Sequence, residues 1–171
     1  MAPPPRLFGI PAGDAPIVAV LRRGPSEWFH IGRWAVDEPS YSPGAWLRGR
    51  VYPQRCDLSP DGRYFAYFAL KPGSRWPAGE TYLAVSKLPW LYALAAWREP
   101  GTWTRGMYFT EKATSSFPPP DVGSIEELPY GLDYLGADGF AVERRCGWRS
   151  HRSIPLGPIT ISGANDVATP W

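Results

Sequence analysis

The chain has 171 residues, with eighteen Lys or Arg against sixteen Asp or Glu and a formal net charge of +2. That length suits one domain with a proper core, and the near balance of charge argues against a dedicated duplex-binding protein. No run approaches the roughly 20 apolar residues of a membrane-spanning helix.

The make-up is unusual in its aromatic and turn-forming residues. There are nine Trp, nine Tyr, 21 Pro and 18 Gly. Aromatic side chains favour strands, and Pro and Gly favour frequent turns, so an all-β domain of many short strands is expected. It reads as a single β-rich domain over 1–171. Residues 1–14 form a Pro-rich N-terminal arm lying along the domain, and 162–171 form an exposed tail. The first residues lack the apolar centre of a signal peptide, which points to a cytoplasmic protein.

Ala15 to Arg22 is a continuous apolar, β-branched run and predicts a buried strand. After Gly24-Pro25, Glu27 to Val36 predicts a second strand. One face carries Trp28, His30, Trp34 and Val36, the other Phe29, Ile31, Arg33 and Ala35. Asp37 to Gly44 reads as a loop, and Ala45 to Tyr52 as a further strand.

The centre of the chain is the stretch Arg50 to Leu70. A Ser59-Pro60-Asp61-Gly62 turn leads into a strand in which Tyr64, Ala66, Phe68 and Leu70 alternate with Phe65, Tyr67 and Ala69. Pro60 presets φ at the second turn position, and Gly62 can take the positive φ that re-enters a strand. Both faces of that strand are apolar, so it belongs in the interior.

Lys71 to Gly79 is a loop and Thr81 to Val85 a short strand. Leu88 to Trp97 fits two structures. Ser86 as cap and Pro89 near a first turn favour a short helix, while the length also fits a buried strand. Thr102 to Thr110 predicts a strand, and Glu111 to Leu128 the longest irregular stretch. Leu132 to Leu135, a Gly136–Gly139 turn and Phe140 to Trp148 complete a last hairpin, with Ile154 to Ile161 able to add one strand.

Glycines that precede an aromatic-rich strand recur at Gly24, Gly62, Gly101 and Gly139, 38 or 39 residues apart. Leu58-x-x-Asp61-Gly62 returns as Leu135-x-x-Asp138-Gly139. The stretch Cys56 to Ala69, CDLSPDGRYFAYFA, resembles the repeat unit of TolB-type and WD40-like β-propellers, in which an SPDG turn joins the innermost strand of a blade to the next. The close match covers about fourteen residues, and the other units lack the Ser-Pro. The resemblance implies about four short antiparallel sheets arranged as a small propeller, each near the blade length of about 40 residues. The alternative is a β-sandwich or open barrel with one helix.

The chemistry-bearing residues are few. His30 and His151 are the only imidazoles, and His30 between tryptophans reads as a core or semi-buried histidine. Cys56 and Cys146 are the only thiols, and no CxxC or Cys/His cluster exists, which argues against a structural zinc, so neither a metal nor a cofactor is expected. Two lone cysteines read as small buried apolar residues. No GxSxG, phosphate-loop or GxGxxG pattern occurs. Arg48, Arg50, Tyr52 and Arg55, and then Arg144, Arg145, Trp148, Arg149 and Arg152, interleave cations with aromatics. That pattern suits stacking on bases, sugars or anions, or simply the solvent face of strands.

The propeller resemblance implies a common rim gathering Tyr52, Gln54, Arg55, Arg75, Trp76, Trp90, Tyr130, Arg149 and His151. The expected function is a non-catalytic ligand-binding or protein-interaction module, with a protein or small molecule as partner. A hydrolase-type enzyme using a His and an acid on that rim is one alternative, and single-stranded nucleic-acid binding another. Leu88 to Trp97, if left open, would serve as a homodimer surface.

Overall fold

A computed structural model describes residues 4–24, 27–111, 115–135 and 141. Twelve strands account for most of the order, as expected of an all-β chain: β1 (Arg6–Pro11), β2 (Ile17–Arg23), β3 (Trp28–Ala35), β4 (Ser40–Arg48), β5 (Arg50–Val51), β6 (Asp57–Leu58), β7 (Tyr64–Leu70), β8 (Thr81–Lys87), β9 (Ala93–Arg98), β10 (Met107–Thr110), β11 (Val122–Gly123) and β12 (Gly131–Tyr134). A 3-10 turn spans Pro53–Arg55. All pairings are antiparallel.

The strands form three open sheets. The first is the meander β1-β2-β3-β4. The second runs β11-β9-β8-β7-β5, with β6 also paired to β7. The third pairs β10 with β12. Among the described residues no helix is long and apolar enough to cross a membrane.

The interior strand expected at Tyr64 to Leu70 is β7, and its two faces feed two different cores. Phe65, Tyr67 and Ala69 join Leu21, Phe29, Ile31 and Leu58 in one cluster that spans the first and second sheets. Tyr64, Ala66 and Phe68 join Leu83, Trp97, Met107 and Leu132 in the other, under the third sheet. Doubly buried strands read as unbroken apolar runs for this reason.

The SPDG turn does more than reverse the chain. The Ser59 Oγ accepts the N–H of Tyr64 at 2.9 Å and donates to Asp61 Oδ1 at 2.6 Å. Gly62 has φ of +72° and lies against Ile17 of β2. The turn is thereby docked on the first sheet, and the Asp14 N–H donates to Pro60 O at 2.9 Å.

Several segments differ from the sequence expectation. The N-terminal arm contains β1, which pairs with β2 from Arg6↔Arg23 to Pro11↔Val18. The loop expected over 37–44 is only a turn over 36–39, because β4 begins at Ser40. Pro43 is tolerated there because β4 lies at the edge of its sheet, where a missing N–H breaks no ladder bond. Leu88 to Trp97 holds no helix: Ala93–Arg98 is strand β9, paired along β8. Ser86, read as a helix cap, lies inside β8 and is buried. Of Thr102 to Thr110 only Met107–Thr110 is strand, and Val122–Gly123 inserts a short strand into the long irregular stretch.

The periodic glycines have different settings. Gly62 faces Ile17, Gly101 has nothing within 4 Å of a Cβ, and the Gly24 N–H donates to Trp28 O at 3.2 Å. Gly139 lies outside the described residues, as do the Gly136–Gly139 turn, most of Phe140 to Trp148 and everything after it.

Candidate functional site

A cleft of about 590 Å3 opens where the first sheet meets the second. Close approach of the backbones creates it. Gly44 of β4 leaves no room for a Cβ against Pro89, and the Ala45 N–H donates to Pro89 O at 3.1 Å. Leu47 of β4 is thereby brought to one wall, with Leu91, Tyr92 and Ala93 at the entry to β9.

The remaining wall is aromatic. Trp76, on the loop between β7 and β8, packs edge-on to Tyr82 with ring centroids 4.8 Å apart, and Tyr82 packs edge-on to Tyr67 at 6.4 Å. The Tyr67 hydroxyl donates to Leu91 O at 3.2 Å, fixing the β9 entry over the cleft. Burial pushes the Tyr82 phenol up to about 12. Burial, aided by Tyr82, pushes Tyr67 well above its usual range. Both rings are therefore protonated donors at neutral pH rather than acids or bases. Lys71 and Arg75 bring positive charge to the same cleft, and Tyr92 is 84% exposed beside it.

The expected rim residues divide among several places. Arg75 and Trp76 share this cleft. Tyr52 and Gln54 line a separate recess of about 150 Å3. Arg55 has a structural role: its Cζ lies 5.2 Å from the Tyr52 ring centroid and 5.1 Å from that of Phe68, and Nη1 donates to Thr102 O at 2.5 Å. Tyr130 packs edge-on to Tyr64 and Phe109 over the second core. Trp90 is exposed. Arg149 and His151 lie outside the described residues. Tyr67, Tyr82, Leu47 and Tyr92 were not singled out from the sequence. Leu47 and Tyr92 meet only through the contact between sheets, which no local pattern signals.

His30 is buried beside Trp46, ring centroids 4.5 Å apart, with Tyr41 Oη 3.4 Å from its Nδ1. Burial and, second, the Arg22 charge hold its pKa below the ordinary value. Among the described residues its side-chain contacts are aromatic, Tyr41 and Trp46, and neither is a carboxylate that would orient it as a base. Around it, Trp28, Trp34, Tyr41 and Trp46 form an exposed aromatic face on β3 and β4. Cys56 is buried, its Sγ donating to Tyr52 O at 3.1 Å, and burial pushes the thiol far up. Cys146 lies outside the described residues. Among the described residues no group of three or more His, Cys, Asp or Glu could hold a metal ion. No protein-family model, curated protein or solved structure matches the chain.

Proposed function

We propose that the chain is a non-catalytic ligand-binding module on a propeller-like β scaffold, and that the cleft lined by Trp76, Tyr82, Tyr67 and Tyr92 is its binding site. The observation that carries this reading is the convergence of three packed aromatic rings with Lys71 and Arg75 in one cleft of about 590 Å3. That volume is within the range of small-molecule sites, and an aromatic wall with a few polar groups is their usual lining. Ring faces suit a sugar or a planar heterocycle, and the two cations suit an acidic substituent on it.

The scaffold reading is supported by the order of strands around the SPDG turn. β6, β7, β8 and β9 follow one another in an antiparallel meander, and the turn joins the first two. The preceding sheet is also a four-strand meander.

The test is a thermal-shift panel of acidic sugars, nucleotides and neutral sugars. A ligand at a hundred times its Kd stabilises the fold by about 2.7 kcal/mol, which is about 5–10 °C for a chain of this size. Trp76→Ala and Arg75→Gln should each abolish most of that shift. A shift that survives both substitutions places the ligand elsewhere and refutes this site.

A further inference from the structure

We infer that the junction of the two large sheets carries a second site, adjoining the aromatic cleft and sharing only Lys71 with it, which takes a small, multiply charged phosphate- or sulfate-type anion on Arg6, Arg23, Arg48, Arg50 and Lys71. Arg23, Arg48, Arg50 and Lys71 line one open cleft of about 990 Å3 together with Gly49, Leu70 and Glu27. Arg6, Arg23 and Arg50 also line the adjoining recess of about 150 Å3. Arg23 and Arg50 thus belong to both.

The arrangement is costly without a ligand. Arg6 and Arg23 are directly opposite in the β1–β2 register, and like charges so placed destabilise a sheet. The one carboxylate in the cleft, Glu27, is already held by Arg48, whose Nε lies 3.1 Å from Glu27 Oε2. Among the described residues Arg6, Arg23, Arg50 and Lys71 form no ion pair. The concentration is local, because the whole chain carries only +2.

The backbone explains how the charges are gathered. Gly49 carries the chain from β4 in the first sheet to β5 in the second, and its N–H donates to Glu27 O at 2.7 Å. A Cβ there would stand 2.5 Å from Leu70 O, so only glycine allows β4 and β7 to approach this closely. Arg48 and Arg50 therefore enter one cleft from different sheets, and Lys71 follows directly from β7.

Guanidinium forks match the paired oxygens of phosphate and sulfate, and an ammonium adds a point charge. An open cleft with four cations from β2, β4, β5 and the end of β7, joined to a recess that adds Arg6 from β1, fits a compact polyanion. A nucleic-acid strand would call for a basic stripe and a more basic chain.

The experiment is calorimetric titration of the full chain with inorganic tripolyphosphate at low and high salt. Binding at low salt that weakens steeply with salt is expected. The double variant Arg23→Gln, Arg50→Gln should bind at least about tenfold more weakly, since each charge-assisted contact is worth about that factor or more. Both arginines are exposed and Arg23→Gln relieves the repulsion with Arg6, so the variant should melt at or slightly above the wild type. Lys87→Gln, which alters a different cavity, should bind as wild type does. Two further arms separate the sources of phosphate. One offers phosphatidylinositol bisphosphate in phosphatidylcholine vesicles, the other a single-stranded oligonucleotide. Capture by either without binding of tripolyphosphate overturns the small-anion assignment. So does undiminished binding by the folded double variant, or no binding by the wild type at low salt. Trp76→Ala, which removes the aromatic cleft, should leave tripolyphosphate binding intact, so the two sites fail separately.

Discussion

The buried carboxylate of Asp57 accepts the backbone N–H of Phe109 at 2.9 Å, fifty-two residues further along the chain. Its other oxygen accepts the Leu58 N–H at 2.8 Å. At 2% exposure the group has little water to turn to, so these bonds lie in a poorly screened setting. The Phe109 bond joins β6 of the second sheet to β10 of the third. Asp57→Ala leaves buried donors unmatched and should lower the unfolding free energy by about 3 kcal/mol or more. Asp57→Asn keeps one acceptor and should lose less. Urea denaturation of the three proteins measures both differences. A loss under about 1 kcal/mol for the alanine variant would show that the bond does not couple the sheets.

Gly62 tests whether the SPDG turn is a docking element as well as a reversal. Gly62 and Gly73 both have φ of +72°, but a Cβ at Gly62 would stand 2.7 Å from Ile17 Cβ, while at Gly73 nothing lies within 4 Å. Gly73→Ala should therefore cost only the conformational term, about 1 kcal/mol. Gly62→Ala adds the displacement of Ile17 and should cost about 2–4 kcal/mol. Equal losses at the two positions in thermal or urea unfolding would remove the docking role.

What the sequence revealed depended on how locally each feature was determined. The strand Tyr64 to Leu70 was legible because burial of both faces writes itself as an unbroken apolar run. Alternation placed Phe29 and Ile31 on one face of β3, and packing shows that face to be the core side. β1 and the start of β4 were hidden, since both are edge strands whose prolines and glycines look like loop. The segment 88–97 was ambiguous because Ala and Leu suit either state, and pairing along β8 decided it. At the candidate site, Trp76 and Arg75 stood out as an aromatic and a cation in one loop. Their partners Tyr67, Tyr82 and Leu47 come from strand pairing and sheet contact, which are long-range. Arg55 looked like a ligand-binding arginine, yet the rings of Tyr52 and Phe68 and the Thr102 carbonyl occupy it. Asp57 gave no signal, because a carboxylate beside a turn looks solvated until its distant N–H partner is known.

The cleft beside Trp76 makes a prediction about fluorescence as well as binding. Trp76 is half-buried against Tyr82, so a ligand seated there changes the solvation of its indole. Titration with the best ligand of the thermal-shift panel should shift or quench tryptophan emission with the same Kd that calorimetry gives for that ligand. Trp76→Phe, which keeps an aromatic ring, should retain binding to within about tenfold while losing the optical signal. An unchanged signal in that variant would mean the reporter, and the ligand with it, lies near another tryptophan.

His30 ties stability to pH. Burial first, and the Arg22 charge second, hold its folded pKa below the ordinary value, while the unfolded chain titrates near about pH 6.5. Between the two values the unfolded state binds more protons, so stability rises with pH across that interval. The contribution is in place above about pH 6.5 and is lost as pH falls toward the folded pKa. Urea midpoints should decline on acidification in a His151→Gln background, where His30 is the one remaining imidazole. Adding His30→Phe should flatten that decline. Parallel curves would show that His30 is as easily protonated folded as unfolded.

Ser86 offers the opposite kind of substitution, one expected to stabilise. Its Oγ is buried and has no hydrogen-bond partner among the described residues. The residue sits in β8 opposite Phe65, where the β8–β9 register shifts between Val85 and Ser86. A buried hydroxyl without a partner costs about 1–3 kcal/mol in proteins. Alanine removes the hydroxyl while leaving a gap of only one atom, so Ser86→Ala should raise stability by about 1 kcal/mol and the melting temperature by about 2–4 °C. Differential scanning calorimetry reads both quantities. A lower melting temperature would show that the hydroxyl contributes to stability and is not an unmet cost.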